Sequence, residues 1–141
     1  MIGVFIAKKT IANSYEALNQ HNLSKFMSAW RDDGAWIYPG ETPQSGTFKG
    51  KDAVESWFRE FLDQFPRIQF DIQNICFQNI FDVTGTNVAA VHWQLQHTNR
   101  DGRVGRNSGV TVIDIKGGKA VLAKDIIFDQ GEDFKLMWGA D

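Results

Sequence analysis

The spacing of apolar residues changes once along this chain. Before Pro66 they recur three and four apart, the period of a helix face. From Ile68 they recur every second residue, the period of a strand. In the first part Ile11, Tyr15 and Leu18 form one helical stripe. Asn22 is placed to cap a second helix carrying Leu23, Phe26, Met27 and Trp30, which Arg31-Asp32-Asp33-Gly34 breaks. Ala35 to Tyr38 reads as a short strand ended by Pro39-Gly40, and Glu41 to Lys49 as a polar loop. A third helix begins near Lys51, with Val54, Trp57, Phe58, Phe61, Leu62 and Phe65 on one side, and stops at Pro66.

In the second part Ile68, Phe70 and Ile72 alternate with Gln69, Asp71 and Gln73. Ile75 and Phe77 then take the opposite phase, which predicts a bulge near Gln73–Asn74. Thr84-Gly85-Thr86 is a turn. Three strands follow, at about 88–98, 105–115 and 119–129, joined by the hairpin turns Arg100-Asp101-Gly102 and Gly117-Gly118. Glu132 to Trp138 reads as a short helical turn. Helices followed by an antiparallel meander predict an α+β protein. A curved sheet with helices on its concave side leaves a cone-shaped cavity.

The chain has 141 residues, is 43% hydrophobic and holds 11 Phe and 5 Trp, enough for one domain over 1–141 with a sizeable core. Its net charge of −2, with no basic stripe, argues against a nucleic-acid partner. Cys76 is alone, which excludes an internal disulfide and a cysteine-cluster zinc site and suits a cytoplasmic setting. Met1 to Ala7 is apolar but brief and is followed by Lys8 and Lys9, the reverse of an export signal. No run is long enough to cross a bilayer, so a soluble protein with no membrane partner is expected.

The candidate chemistry centres on Asp125. The last strand, Ala120 to Phe128, is apolar except for Lys124 and Asp125, which must point to opposite faces. Ala123 and Ile127 share the face of Asp125. Burial there would raise its pKa, as a general base working near neutrality requires. His92 shares a face with Gln94 and Gln96. That face reads either as solvent-exposed, with Val91, Trp93 and Leu95 toward the core, or as a polar pocket lining. His21 and His97 have no comparable context. No metal-ligand spacing, phosphate-binding glycine loop or serine or cysteine nucleophile motif is present, and no cofactor is expected.

The order of these elements and their punctuation resemble the SnoaL-like and ketosteroid-isomerase-like branch of the nuclear-transport-factor-2-like superfamily. The resemblance rests on Asn22-Leu23, on Trp30 through Ala35, on Pro39-Gly40 through Gly46 and on Gly50 through Val54. It rests also on Gly118-Lys119-Ala120 and on Lys124 through Asp129. It implies a strongly bent sheet of about six strands, mostly antiparallel, with three N-terminal helices closing a deep pocket (a cystatin-like roll), commonly in a homodimer. It places Trp36, Tyr38, Trp57 and Phe61 in the pocket wall, together with His92, Gln94, Gln96, Asn107, Thr111 and Asp125. Trp93, Leu95, Val110 and Val112 would lie on the convex face, toward a partner subunit.

The chain also departs from relatives in this branch. Ketosteroid isomerases carry their base where this chain has Tyr38 and their oxyanion acid at or near Gly109. Their first-helix tyrosine falls at about Ser14, one step from Tyr15. Limonene-epoxide-hydrolase-like members have an Arg and an Asp where this chain has His92 and Gln94, and match it only at Asp125. SnoaL-like cyclases have an acid/base aspartate that matches Asp125, with Asp129 as a second position.

The resemblance therefore implies a cofactor-free enzyme acting on a small apolar carbonyl compound by isomerisation, cyclisation or dehydration. Asp125 would move the proton, and His92 and Tyr38 would donate to the oxyanion. A non-catalytic ligand-binding or dimerisation module, and a hydrolase or hydratase in which Asp125 activates water, stand as alternatives.

Overall fold

The computed structural model describes residues 2–139, so Met1 of the apolar start lies outside it. Four helices and six strands follow one another as α1 (Ile2–Asn19), α2 (Leu23–Met27), β1 (Trp30–Tyr38), β2 (Gly46–Lys49), α3 (Lys51–Gln64), β3 (Arg67–Phe77), β4 (Asn87–Thr98), β5 (Val104–Lys116), β6 (Lys119–Ile127) and α4 (Glu132–Met137). The strands form one sheet in the order β2-β1-β6-β5-β4-β3. All neighbours are antiparallel except β1 and β6, which run parallel. This is the mostly antiparallel α+β roll expected.

Several boundaries moved for identifiable reasons. The Asn22 side chain caps α2 by accepting from the Lys25 amide at 3.1 Å. That helix ends at Met27, before the expected break, so Trp30 opens β1 instead of closing α2, and Arg31 to Gly34 lie within the strand. The register against β6 slips between Trp30 and Ala35, and the extra residues are absorbed there. Gly34 packs so close to Trp30 and the Arg31 carbonyl that an added Cβ would sit 2.8 Å from the indole. The loop expected over 41–49 ends in β2, which pairs its Phe48 with Trp36. The phase flip in β3 is a register shift between Ile72 and Asn74. The last strand stops at Ile127, and Phe128 and Asp129 lie beyond it.

The core is aromatic. Trp57, Phe58, Phe61 and Leu62 of α3 are buried against Trp36 and Tyr38 of β1, and Phe26 of α2 packs on Phe58 with ring centroids 4.5 Å apart. α1 covers the other half, with Ile11, Ala17 and Leu18 buried and Tyr15 set edge-on to Phe70 of β3. Side chains of β4 alternate strictly: Val91, Trp93, Leu95 and His97 are buried, whereas Gln94 and Gln96 are exposed. The apolar side of β4 therefore faces the helices, and its polar side faces outward.

Trp93 and Leu95 thus belong to the interior, not to the convex surface. The reason is energetic. Burying an indole and a leucine gains about 1.5–3 kcal/mol each, whereas turning two amides and an imidazole inward without partners costs about 1–3 kcal/mol per group.

Candidate active site

Helices and sheet enclose a cavity of about 450 Å³, within the range of small-molecule sites. Its floor is set by three strands in register. Val91 of β4 lies opposite Thr111 of β5, and Thr111 opposite Asp125 of β6, so all three project to the inner face. On the other side of β6, Ile37 pairs with Lys124 in the parallel ladder. The same register carried one residue further sets Tyr38 beside Asp125.

Thr111 is the hub. Its hydroxyl donates to Asp125 Oδ1 at 2.5 Å and accepts from the Tyr15 hydroxyl and from Trp93 Nε1, each at 2.9 Å. One donor and two acceptor sites are all that a hydroxyl has, so Thr111 is saturated and fixed. Among the described residues nothing donates to Asp125 Oδ2. Burial pushes the Asp125 carboxyl up from its ordinary 3.8 to about 7, only partly offset by the hydrogen bond from Thr111. The Tyr15 phenol is held above its ordinary range by burial first and by the nearby Asp125 charge second, so it remains a donor.

Gly109 makes this arrangement possible. An added Cβ there would lie 2.8 Å from the Trp93 indole as well as against the Ile126 carbonyl. The bare backbone lets the indole cross β5 and reach Thr111. Gly109 therefore serves to admit a tryptophan.

Tyr38 is buried and accepts a hydrogen bond from Trp138 Nε1 at 3.0 Å. Burial, above all, holds its phenol in the protonated form. Its own proton has no acceptor among the described residues. Trp36 lies between Trp57 and Phe58, with centroids 5.3 and 5.0 Å away, and its Nε1 is buried without a partner. Trp57 donates to the Gln44 carbonyl at 2.9 Å and stacks on Phe61 at 5.6 Å, which makes both of them wall.

The structure thus brings together Asp125, Thr111, Tyr38, Trp36, Trp57 and Phe61 around one cavity. It does not bring His92, Gln94 or Gln96. His92 is on the outer face, its ring 5.9 Å from that of Phe128, and the two amides are exposed. Asn107 sits at the cavity edge but spends its side chain on backbone. Its Nδ2 donates to the Asp129 carbonyl at 2.8 Å, and its Oδ1 accepts from the Ser108 and Asp129 amides. Asp129 is exposed and accepts from the Gly131 amide in a local turn.

Residues at the site that were not expected from the sequence include Tyr15, Trp93, His97 and Trp138. Tyr15 was visible as one member of a helical stripe and as one step from the tyrosine position of the isomerases. Trp93 was assigned by the resemblance to the wrong face.

The SnoaL-like domain family matches residues 11–123, and the chain belongs to it. No curated protein sequence matches the chain. Solved structures of similar fold include an NTF2-like protein of unknown function from Burkholderia pseudomallei K96243. It is 21% identical with a TM-score of 0.79, over 94% of this chain and 97% of that one. A Bacillus subtilis protein described as a candidate isomerase is 17% identical with a TM-score of 0.80, over 100% and 98% of the two chains. TerC, co-crystallised with polyporic acid, is 18% identical with a TM-score of 0.76, over 94% and 98%. At these identities the likeness extends to the fold alone. Among the described residues no helix is long and apolar enough to cross a membrane.

Proposed function

We propose that this protein is an acid/base enzyme acting on a small, largely apolar carbonyl compound, with Asp125 as the group that carries the proton. The observation supporting this reading is the Asp125 carboxyl group, raised to about 7 by burial, on the floor of an aromatic-lined cavity, with one oxygen that takes no hydrogen bond among the described residues. At neutral pH such a group exists in both forms, which suits removal and return of a proton by one residue. In the forward step Asp125 Oδ2 takes a proton from the carbon beside the carbonyl. The C–H electron pair forms the enolate C=C bond, and the carbonyl π pair moves to oxygen. The Tyr38 O–H, which has no other acceptor, donates to that oxygen. The neutral Asp125 then returns the proton to another carbon, giving isomerisation, or to a leaving hydroxyl, giving dehydration. Thr111, anchored by Tyr15 and Trp93, holds Oδ1 so that Oδ2 presents to the substrate.

The expected partner role of His92 has no place in this scheme, so Tyr38 is the one donor of the original pair that remains. The test is exchange of hydrogens beside the carbonyl in D2O, followed by NMR over a panel of cyclic ketones and enones. The native protein should accelerate exchange for at least one compound, and Asp125→Asn should lose about a hundredfold or more of that rate. Tight binding with no exchange across the panel would support the ligand-binding module instead, a reading favoured by the exposure of Gln94 and Gln96 and the outward placement of His92, which leave the cavity fewer polar groups than expected.

A homodimer through the convex face fits the same reading. Val110 and Val112 do lie on that face, and the partly exposed Ile126 and Phe128 join them in the place that Trp93 and Leu95 were expected to fill. A cytoplasmic setting is in keeping with the free Cys76.

A further inference from the structure

His97 has no part in the scheme above, yet it is built into the same cavity. It is 9% exposed and lines the cavity at the end covered by α4, and its Nδ1 is buried without a hydrogen-bond partner. Phe65 meets it edge-on at 5.1 Å, and Met137 stands over the Gly105 that pairs with it across β4 and β5. Gly105 leaves the space that the imidazole uses, since an added Cβ there would lie 2.7 Å from the His97 ring. Burial lowers its pKa to about 4, so the ring is neutral under ordinary conditions, with one donor and one acceptor nitrogen.

A neutral imidazole among Phe65, Met137 and Trp138 adds nothing that a phenylalanine would not supply by packing, and it leaves a polar atom unpaired, at a cost of about 1–3 kcal/mol. The neighbouring residue at this end shows the contrast. Asn99 is fully buried, yet its nitrogen and its oxygen are both partnered: it donates to the Met137 carbonyl at 3.2 Å and accepts from the Asp101 and Arg103 amides. His97 Nδ1 has no such partner among the described residues. A half-turn of the ring about χ2 exchanges Nδ1 with Cδ2, so the imidazole can present a nitrogen to the cavity without moving its backbone.

We infer that His97 is a second polar station of the ligand site, and that the ligand is elongated, with the reacting carbonyl at the Asp125 end and a hydroxyl or similar hydrogen-bonding group at the α4 end. The levels of Thr111 and Gly105 on β5 are six residues apart, roughly 20 Å of extended strand, and less across the concave face toward which Thr111 and His97, the partner of Gly105, point. A ligand filling about 450 Å³ between these stations is a two- or three-ring compound rather than a fragment. This inference rests on the reading of the cavity as a ligand site, but not on turnover there.

The test is calorimetric titration with matched probes: 4-phenylcyclohexanone, 4-(4-hydroxyphenyl)cyclohexanone and the biphenyl homologue of each. The native protein should prefer the hydroxylated member at one of the two lengths by roughly three- to tenfold, the value of one net hydrogen bond. His97→Phe should bind the plain ketones as before, lose that preference and melt no lower than the native protein, because it removes an unpartnered polar atom. His97→Gln should retain part of the preference. Asp125→Asn should keep the preference, which separates this inference from the proton-transfer assignment. If the native protein binds none of the probes at millimolar concentration, shows no preference at either length, or keeps it in His97→Phe, the inference is overturned.

Discussion

Replacing Asp125 with Asn should change how stability depends on pH. In the folded protein the carboxyl holds its proton up to about 7, whereas in the unfolded chain it releases it near the ordinary 3.8. Between those values the unfolded state binds fewer protons, so stability falls as pH rises through this window and levels off above it. At about 1.36 kcal/mol per pH unit the gap of roughly three units corresponds to about 4 kcal/mol. Cavity water can screen a carboxyl that is not fully shielded, which reduces the figure to roughly 2–4 kcal/mol. Asparagine is close in shape, its Oδ1 can still accept from Thr111, and it has no proton to release. Urea melts of the native protein and the Asp125→Asn variant at intervals from pH 4.5 to 8.5 isolate this group, because the other titrating residues contribute equally to both. The variant should gain on the native protein by roughly 2–4 kcal/mol across the interval. A constant difference between the two proteins over the whole range would refute the argument that burial holds this carboxyl neutral.

Other substitutions test the packing around it. Thr111→Val leaves Tyr15, Trp93 and Asp125 each short of a partner, and should cost roughly 2–4 kcal/mol in thermal or urea melts. It should also raise the Asp125 titration, because the hydrogen bond that opposes desolvation is gone. Gly109→Ala places a methyl against the Ile126 carbonyl and the Trp93 indole, and should cost at least about 1–3 kcal/mol by overpacking, with a change in tryptophan fluorescence. His92→Ala, on the outer face, should leave stability within about 0.5 kcal/mol and exchange activity unchanged. Ile126→Asp, on the same face, should shift a dimer toward monomer in analytical ultracentrifugation.

The three N-terminal helices, the strands of the meander, the helix-capping Asn22, the bulge in β3 and the apolar setting of Asp125 were legible from period and punctuation, whereas β2 and the first half of β1 were not. The faces of the meander were readable in principle. The turn at Arg100-Asp101-Gly102 pairs Thr98 with Val104, so odd residues of β4 lie opposite odd residues of β5. The next hairpin pairs Lys116 with Lys119, even opposite odd, and a register shift between Asp114 and Ile115 is what brings Asp125 opposite Thr111, a step no turn signal announced. A set combining His92, Gln94 and Gln96 with Asn107 and Thr111 mixes the two faces of one sheet, which strand geometry forbids. The family pattern suggested polar residues inward, but the stronger force was the burial of Val91, Trp93 and Leu95.

What no local pattern could show was the hub at Thr111. Its three hydrogen bonds come from α1, β4 and β6, and Tyr15 lies 96 positions away in the chain. Likewise the hydrogen bond between Tyr38 and Trp138 joins residues 100 apart, and α4 looked like no more than a tail.

The central claim is that the Asp125 carboxyl in its cavity is half-protonated near neutral pH. A direct measurement is the titration of its side-chain carboxyl carbon by NMR, with protein labelled with 13C at aspartate and the signal assigned by its loss in Asp125→Asn. The account predicts a midpoint near 7, shifted upward in Thr111→Val. A midpoint near 4, where a solvated aspartate titrates, would contradict it.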